Sequence, residues 1–213
     1  MFGNYQLGFD WDINKFNSIT ASSRIGIRNG NSWGDGLRQI RNDKLFSLRN
    51  TNSLDESANI DLNIDYTHTF AKPQKEFSIL ALMSNNNRTN DFYNDIMNPN
   101  SSMSQIMNSI KNINGSVNKE ATLQLDYQTP ITKLQMIEFR VKIIGRQVNS
   151  GYASFWNATG NDPSNYTNVN LANLPSNVFD YNQNILGTYF SYTLSTKSKW
   201  SMKLGGRYEY TDI

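Results

Sequence analysis

The chain has 213 residues, enough for one large domain or two small ones, and its formal net charge of +2 is too small to argue for nucleic acid or an anionic surface as a ligand. It contains no Cys, which excludes a disulfide framework and thiolate metal sites, and no apolar run approaches the ~20 residues of a membrane helix. Aromatic residues make up 12% of an otherwise polar, Asn-rich chain, so large apolar groups are held for selected positions.

The first segment, "NYQLGFDWDIN", shows the rule. Tyr5, Leu7, Phe9, Trp11 and Ile13 alternate with Gln6, Gly8, Asp10 and Asp12. Period two is the signature of a strand with unlike faces. It recurs over residues 18–29 (Ile19, Ala21, Ile25, Ile27 against Thr20, Arg24, Arg28) and over 58–70 (Ile60, Leu62, Ile64, Tyr66 against Asn59, Asp61, Asp65). It returns over 119–128, 137–146 and 200–210. Segments 76–84 and 182–195 also read as strands, but 76–84 is apolar on both sides (Phe77, Ile79, Leu80, Leu82), which leaves its facing open.

These eight strands are joined by links that alternate short and long. Links at 14–17, 71–75, 129–135 and 196–199 are short; those at 30–57, 85–118 and 150–181 read as long polar loops. Loops of that length are unusual in a compact soluble domain but normal on one rim of an outer-membrane barrel. Within the second long link, "SSMSQIMNSIKNI" places Met103, Ile106, Met107, Ile110 and Ile113 at helical spacing, and a short amphipathic helix competes there with an ordered loop.

The apolar positions sort along the strands. Trp11, Tyr66, Phe70, Tyr127 and Trp200 lie near the short turns, Tyr5, Tyr208 and Tyr210 near the other end, and Leu7, Ile25, Leu123 and Val141 between them. That arrangement matches aromatic girdles around a hydrocarbon band. The expected fold is therefore an all-β, antiparallel up-and-down transmembrane β-barrel, with the apolar side toward outer-membrane lipid and the charged side toward an aqueous interior. A regular hairpin at 129–135 would set Asp126 opposite Glu138 and diagonal to Arg140, making Arg140 the compensating charge. The last hairpin would set Tyr189 opposite Gly205 and Gly187 opposite Arg207.

Catalytic patterns are absent: no phosphate loop, dinucleotide fingerprint or nucleophile elbow occurs. His68 is the only histidine and has no partner residues for metal binding or triad chemistry. Asp91 and Asp95 could offer oxygens to calcium but lack an EF-hand pattern. Same-face acids such as Asp61 and Asp65 read more simply as solvated lumenal carboxylates. No enzyme activity, cofactor or metal is expected. Solute contacts are expected from the wide rim and upper wall, with Arg28 and Arg146 at strand ends and Trp33, Tyr93, Tyr152, Trp156 and Tyr166 in loops; Arg suits anions and aromatic faces suit sugars.

The stretch "NVFDYNQNILGTYFSYTLSTKSKWSMKLGGRYEYTDI" resembles the barrel of TonB-dependent receptors and related outer-membrane β-barrel proteins of the Bacteroidetes group, as do "LQLDYQTPI" and "NIDYTHTF" before short turns. The resemblance implies residence in the bacterial outer membrane, a receptor-type transporter for a solute, an N-terminal plug domain and an inner-membrane energy-coupling complex as partner. No plug or coupling box occurs within this sequence. Both ends fall in or beside strands, so residues 1–213 are expected to be one part of a larger barrel. Two alternatives stay open: a closed eight-stranded barrel with a structural or adhesive role, and a soluble β-sandwich that binds carbohydrate.

Overall fold

The computed structural model describes residues 1–98, 106–157, 167–168 and 177–213. All regular structure among them is strand: β1 (Phe2–Asn14), β2 (Asn17–Arg41), β3 (Lys44–Thr69), β4 (Glu76–Met97), β5 (Ile106–Thr132), β6 (Gln135–Asn157), β7 (Thr167–Asn168), β8 (Asn177–Ser195) and β9 (Ser201–Asp212). They form one antiparallel sheet in the order β1-β2-β3-β4-β5-β6-β8-β9, with the two-residue β7 also paired to β6. The eight long strands are the eight that alternation announces, and each pairs with the next long strand along the chain.

Continuous registers carry one facing across the whole sheet. Trp11, Ile19, Tyr66, Ile79, Leu125, Val141, Thr188 and Tyr208 form a single row, each opposite the next. The parallel row Phe9–Ala21–Ile64–Ala81–Leu123–Ile143–Leu186–Tyr210 lies on the same face. The open question at β4 is thereby settled: Phe77, Ile79, Ala81 and Met83 join the apolar face, while Leu80 and Leu82 sit on the polar one beside Gln124 and Thr122.

Among the described residues, no second sheet covers the apolar face. Leu7 is 79% exposed and Trp11 57%, and the only buried hydrophobic residues among those described are Leu48 and Met97, far from the alternating segments. A sandwich would bury such a face in its core. The described strands therefore do not form a sandwich.

The apolar band also slants across the sheet. On β1 it runs from Tyr5 to Ile13, level with Ile25 to Asn17 of β2; on β9 it runs from Tyr210 down to Trp200, beyond the level of Phe190 and Gly206. The short turns step the same way. The β1–β2 turn follows the Asn14–Asn17 pair, whereas the β5–β6 turn lies past Thr132–Gln135, several residues below the His68–Phe77–Tyr127 row. A fixed band crossing hydrogen-bonded rows at a slant is what tilted barrel strands produce.

The long links are corrected by the structure. Residues 30–41 and 44–57 continue β2 and β3 as a paired ribbon that closes at Asn42 and Asp43, with φ of 52° and 60°. Two successive positive φ values mark the type I′ hairpin turn, which Asn and Asp tolerate. Residues 85–97 and 106–118 are likewise paired, as are 150–157 with β5. The helical reading falls too: Ile106–Ile113 belong to β5, with Ile110 opposite Trp156 on the polar side and Ile113 opposite Ala153 on the other, while Met103 lies outside the described residues.

Both hairpin registers differ from expectation by two residues. Asp126 faces Arg140 directly and Gln128 faces Glu138, because a register shift falls between Pro130 and Thr132 and the turn sits at Lys133 and Leu134. Tyr189 faces Arg207, Gly187 faces Glu209 and Ser191 faces Gly205. A two-residue slip preserves the facing of every side chain.

Candidate functional site

The polar face is a field of compensated charge. At its centre, Arg24 on β2 reaches Asp61 on β3 through Nε at 3.0 Å and Nη2 at 2.8 Å. Ser84 on β4 donates to the same carboxylate at 2.8 Å. One strand pair further on, Arg146 on β6 grips Glu120 on β5 with Nη2 at 2.7 Å and Nε at 2.9 Å, and its Nη1 donates to Gln183 on β8 at 3.2 Å. Toward the short turns, Arg140 pairs with Asp126, and Lys203 pairs with Glu138, whose Oε2 also accepts from the fully buried Ser191 at 2.6 Å. Arg140 thus has the compensating role expected for it. Toward the long hairpins, Asp55 is shared by Arg88 at 3.0 Å and Arg28 at 3.7 Å.

Register is the cause of these pairings. Arg24 and Asp61 are directly opposed, as are Glu120 and Arg146, and Asp126 and Arg140. Between the charges runs an amide track. Asn59, Asn86 and Asn118 stand in one row, and Asn90 and Asn114 in another. Amides both donate and accept, so the face offers hydrogen bonds to a polyhydroxylated or amide-bearing solute without a large excess of either charge.

These pairs are wet. The Arg24 and Asp61 side chains are 54% and 31% exposed, which places them among half-solvated pairs of low net value. In a double-mutant cycle, Arg24→Ala and Asp61→Ala should show a coupling below about 1 kcal/mol that shrinks further in salt. Chemical denaturation of the four proteins in lipid vesicles measures it, and a coupling of several kcal/mol would mean that this face is dry.

The seven candidate solute contacts separate. Arg28, Arg146, Tyr152 and Trp156 are on the polar face; Tyr152 shares a row with Asn114 and Asn90, and Trp156 one with Ile110 and Asn94. Trp33 and Tyr93 are on the opposite face, in a row with Asn52. Tyr166 lies outside the described residues. Sequence reasoning missed Asp55, Arg88 and Glu120 as partners, since the first two fall in stretches read as loops. Only the charge of these residues, never their pairing, is visible in the sequence.

Asp91 and Asp95 share one face with Tyr93 between them. Four residues on an extended strand span roughly 13 Å, too far for one cation. No group of three metal-binding side chains occurs among the described residues. His68 sits on the apolar face beside the short turns, where its Nδ1 lies 2.7 Å from Asn17 Oδ1 and its ring meets Phe70 edge-on at 4.4 Å. Tyr66 donates to the same Asn17 oxygen at 2.7 Å, and Lys75 Nζ lies 4.1 Å from the Phe70 ring centroid. This rim is a belt of rings with polar tips, the chemistry of a membrane–water boundary.

Compared with known families, residues 68–213 match the family described as outer membrane protein beta-barrel. The stretch runs from the end of β3 through β9. A search of curated proteins found no match.

Proposed function

The chain belongs to this outer-membrane β-barrel family, and on that premise we propose that it forms part of the wall of a receptor-type transporter of the TonB-dependent kind. The apolar band meets outer-membrane lipid, and the compensated polar face lines the path of a solute. The long β-hairpins stand outside the cell and capture the solute; the short turns face the periplasm. A plug domain and an inner-membrane energy-coupling complex complete the machine.

The observation that carries this reading is the open sheet. β1 and β9 lie at its two edges and do not pair with each other, although eight long strands could in principle close a small barrel. Unpaired backbone groups at membrane depth cost several kcal/mol each, and strands from outside these residues, pairing with the two edges, would satisfy them. A wall of more than eight strands leaves room for a lumen and a plug.

The full-length gene product tests it. Its reading frame should add a plug domain and further strands, and the purified protein should bind the periplasmic domain of TonB. A frame with a signal peptide just before Met1 and a stop just after Ile213, giving a barrel with no affinity for TonB, would replace the transporter with a closed eight-stranded barrel.

A further inference from the structure

Among the described residues, Trp33 and Tyr93 are the two expected solute contacts that the polar face does not claim. They stand in one row with Asn52 between them, on the face that continues the apolar band beyond the bilayer. Neighbouring strands are about 4.8 Å apart, so the two rings flank Asn52 at roughly 10 Å, enough for one pyranose ring between them. Asn31, Asp35, Asn50, Thr51 and Asp95 also line this groove.

Each part is held in place. Asn50 Oδ1 accepts the Gly36 N–H at 2.8 Å, which anchors the irregular turn of backbone after Gly34 and with it the Trp33 strand. Lys111 Nζ stands 5.2 Å from the Tyr93 ring centroid. Trp33 itself is 70% exposed. Asn52 lies between the two rings with its Oδ1 buried. An exposed Trp33 ring, the Tyr93 ring across from it and the amides of Asn31 and Asn50 beside them form a saccharide site in miniature. The lining holds two carboxylates against the one ammonium, Lys111, beside the Tyr93 ring, so a strongly anionic occupant is disfavoured.

Position identifies the source of the sugar. On β4 the outward face turns polar at Asn85, and from there to Tyr93 the strand rises roughly 27 Å. With a tilt of about 40°, that sets the groove some 20 Å outside the hydrocarbon edge, facing sideways along the membrane and away from the lumen. We propose that this groove binds neutral saccharide carried by the glycolipid of the surface leaflet, so that the protein grips its own membrane from the side. The inference rests on the outer-membrane orientation and not on transport.

The test uses full-length protein in detergent, with polysaccharide released by mild acid from the host cell's own lipopolysaccharide as one probe and cellohexaose as the other. The released polysaccharide should bind by calorimetry and change Trp33 fluorescence. Trp33→Ala and Tyr93→Ala should each weaken it at least about tenfold, or about 1.4 kcal/mol. Tyr152→Ala, on the lumenal face, should leave it unchanged. Absence of binding, binding of cellohexaose alone, or an equal loss in Tyr152→Ala would each overturn the proposal. Binding to TonB should be the same in Trp33→Ala and wild type, so that failure of this inference and failure of the transporter reading are told apart.

Discussion

Leu123→Arg is expected to destabilise the membrane-inserted protein by about 2–4 kcal/mol, the cost of a cationic side chain on the lipid face near the bilayer midplane. Leu123 lies between Ala81 and Ile143 in the middle row of the apolar band and is 44% exposed, with nothing among the described residues packed over it. In water that exposure would be tolerated; against acyl chains the guanidinium has no partner and must snorkel or drag water inward. The next residue is the control. Gln124 points the other way, between Leu80 and Lys142, and donates to Asp126 at 2.6 Å. An Arg there is solvated and lies beside that carboxylate, so its effect should be a small fraction of the first. Equilibrium unfolding from lipid vesicles, or the fraction of protein assembled in the outer membrane, reads the difference. Equal tolerance at the two positions would mean that the apolar face does not meet lipid.

The same contrast of solvents explains what the sequence discloses. Where one face meets hydrocarbon and the other water, composition must alternate, and residues 4–14, 18–29 and 119–128 do so plainly. Beyond the band both faces meet water, and no force keeps the period. Hence residues 30–57 look like a loop although they form a paired ribbon with a tight Asn42–Asp43 turn. The apolar residues of 106–113 mislead for a related reason. Ile110 and Ile113 sit on opposite faces of one strand, and a strand apolar on both faces mimics helical spacing.

Facing survived errors that pairing did not. A two-residue error at the 129–135 and 196–199 hairpins left every side chain on its assigned side while changing its partner. Charge pairs such as Arg24–Asp61 were beyond reach for another reason. Their opposition depends on the β2–β3 register, which the distant Asn42–Asp43 turn sets. The candidate contacts divided by parity, a property readable only once the intervening residues are known to be strand. Trp33 and Tyr152 look alike as loop aromatics and stand on opposite faces of the wall.

Gly205→Val is expected to destabilise the β8–β9 pair by about 1–3 kcal/mol, the usual cost of overfilling a fitted site. A Cβ at Gly205 would meet Tyr189 Oη at 2.9 Å, the Phe190 carbonyl oxygen at 3.1 Å and Ser191 Cβ at 3.2 Å. The tyrosine can swing aside, but the other two belong to the paired strand. Ser191, directly opposite, is fully buried and donates to Glu138, which in turn pairs with Lys203 two residues before Gly205. Moving Ser191 therefore disturbs the ion pair that joins β6 to β9 across β8. Gly206, the neighbour on the apolar face, has nothing within 4 Å of an added Cβ, and Gly206→Ala should be neutral or slightly stabilising through reduced chain entropy in the unfolded state. Denaturation midpoints of the two variants in the same vesicles separate the outcomes. Equal midpoints would show that β9 shifts freely against β8, and that the pairing of Ser191 with Gly205 does not fix the register of the last strand.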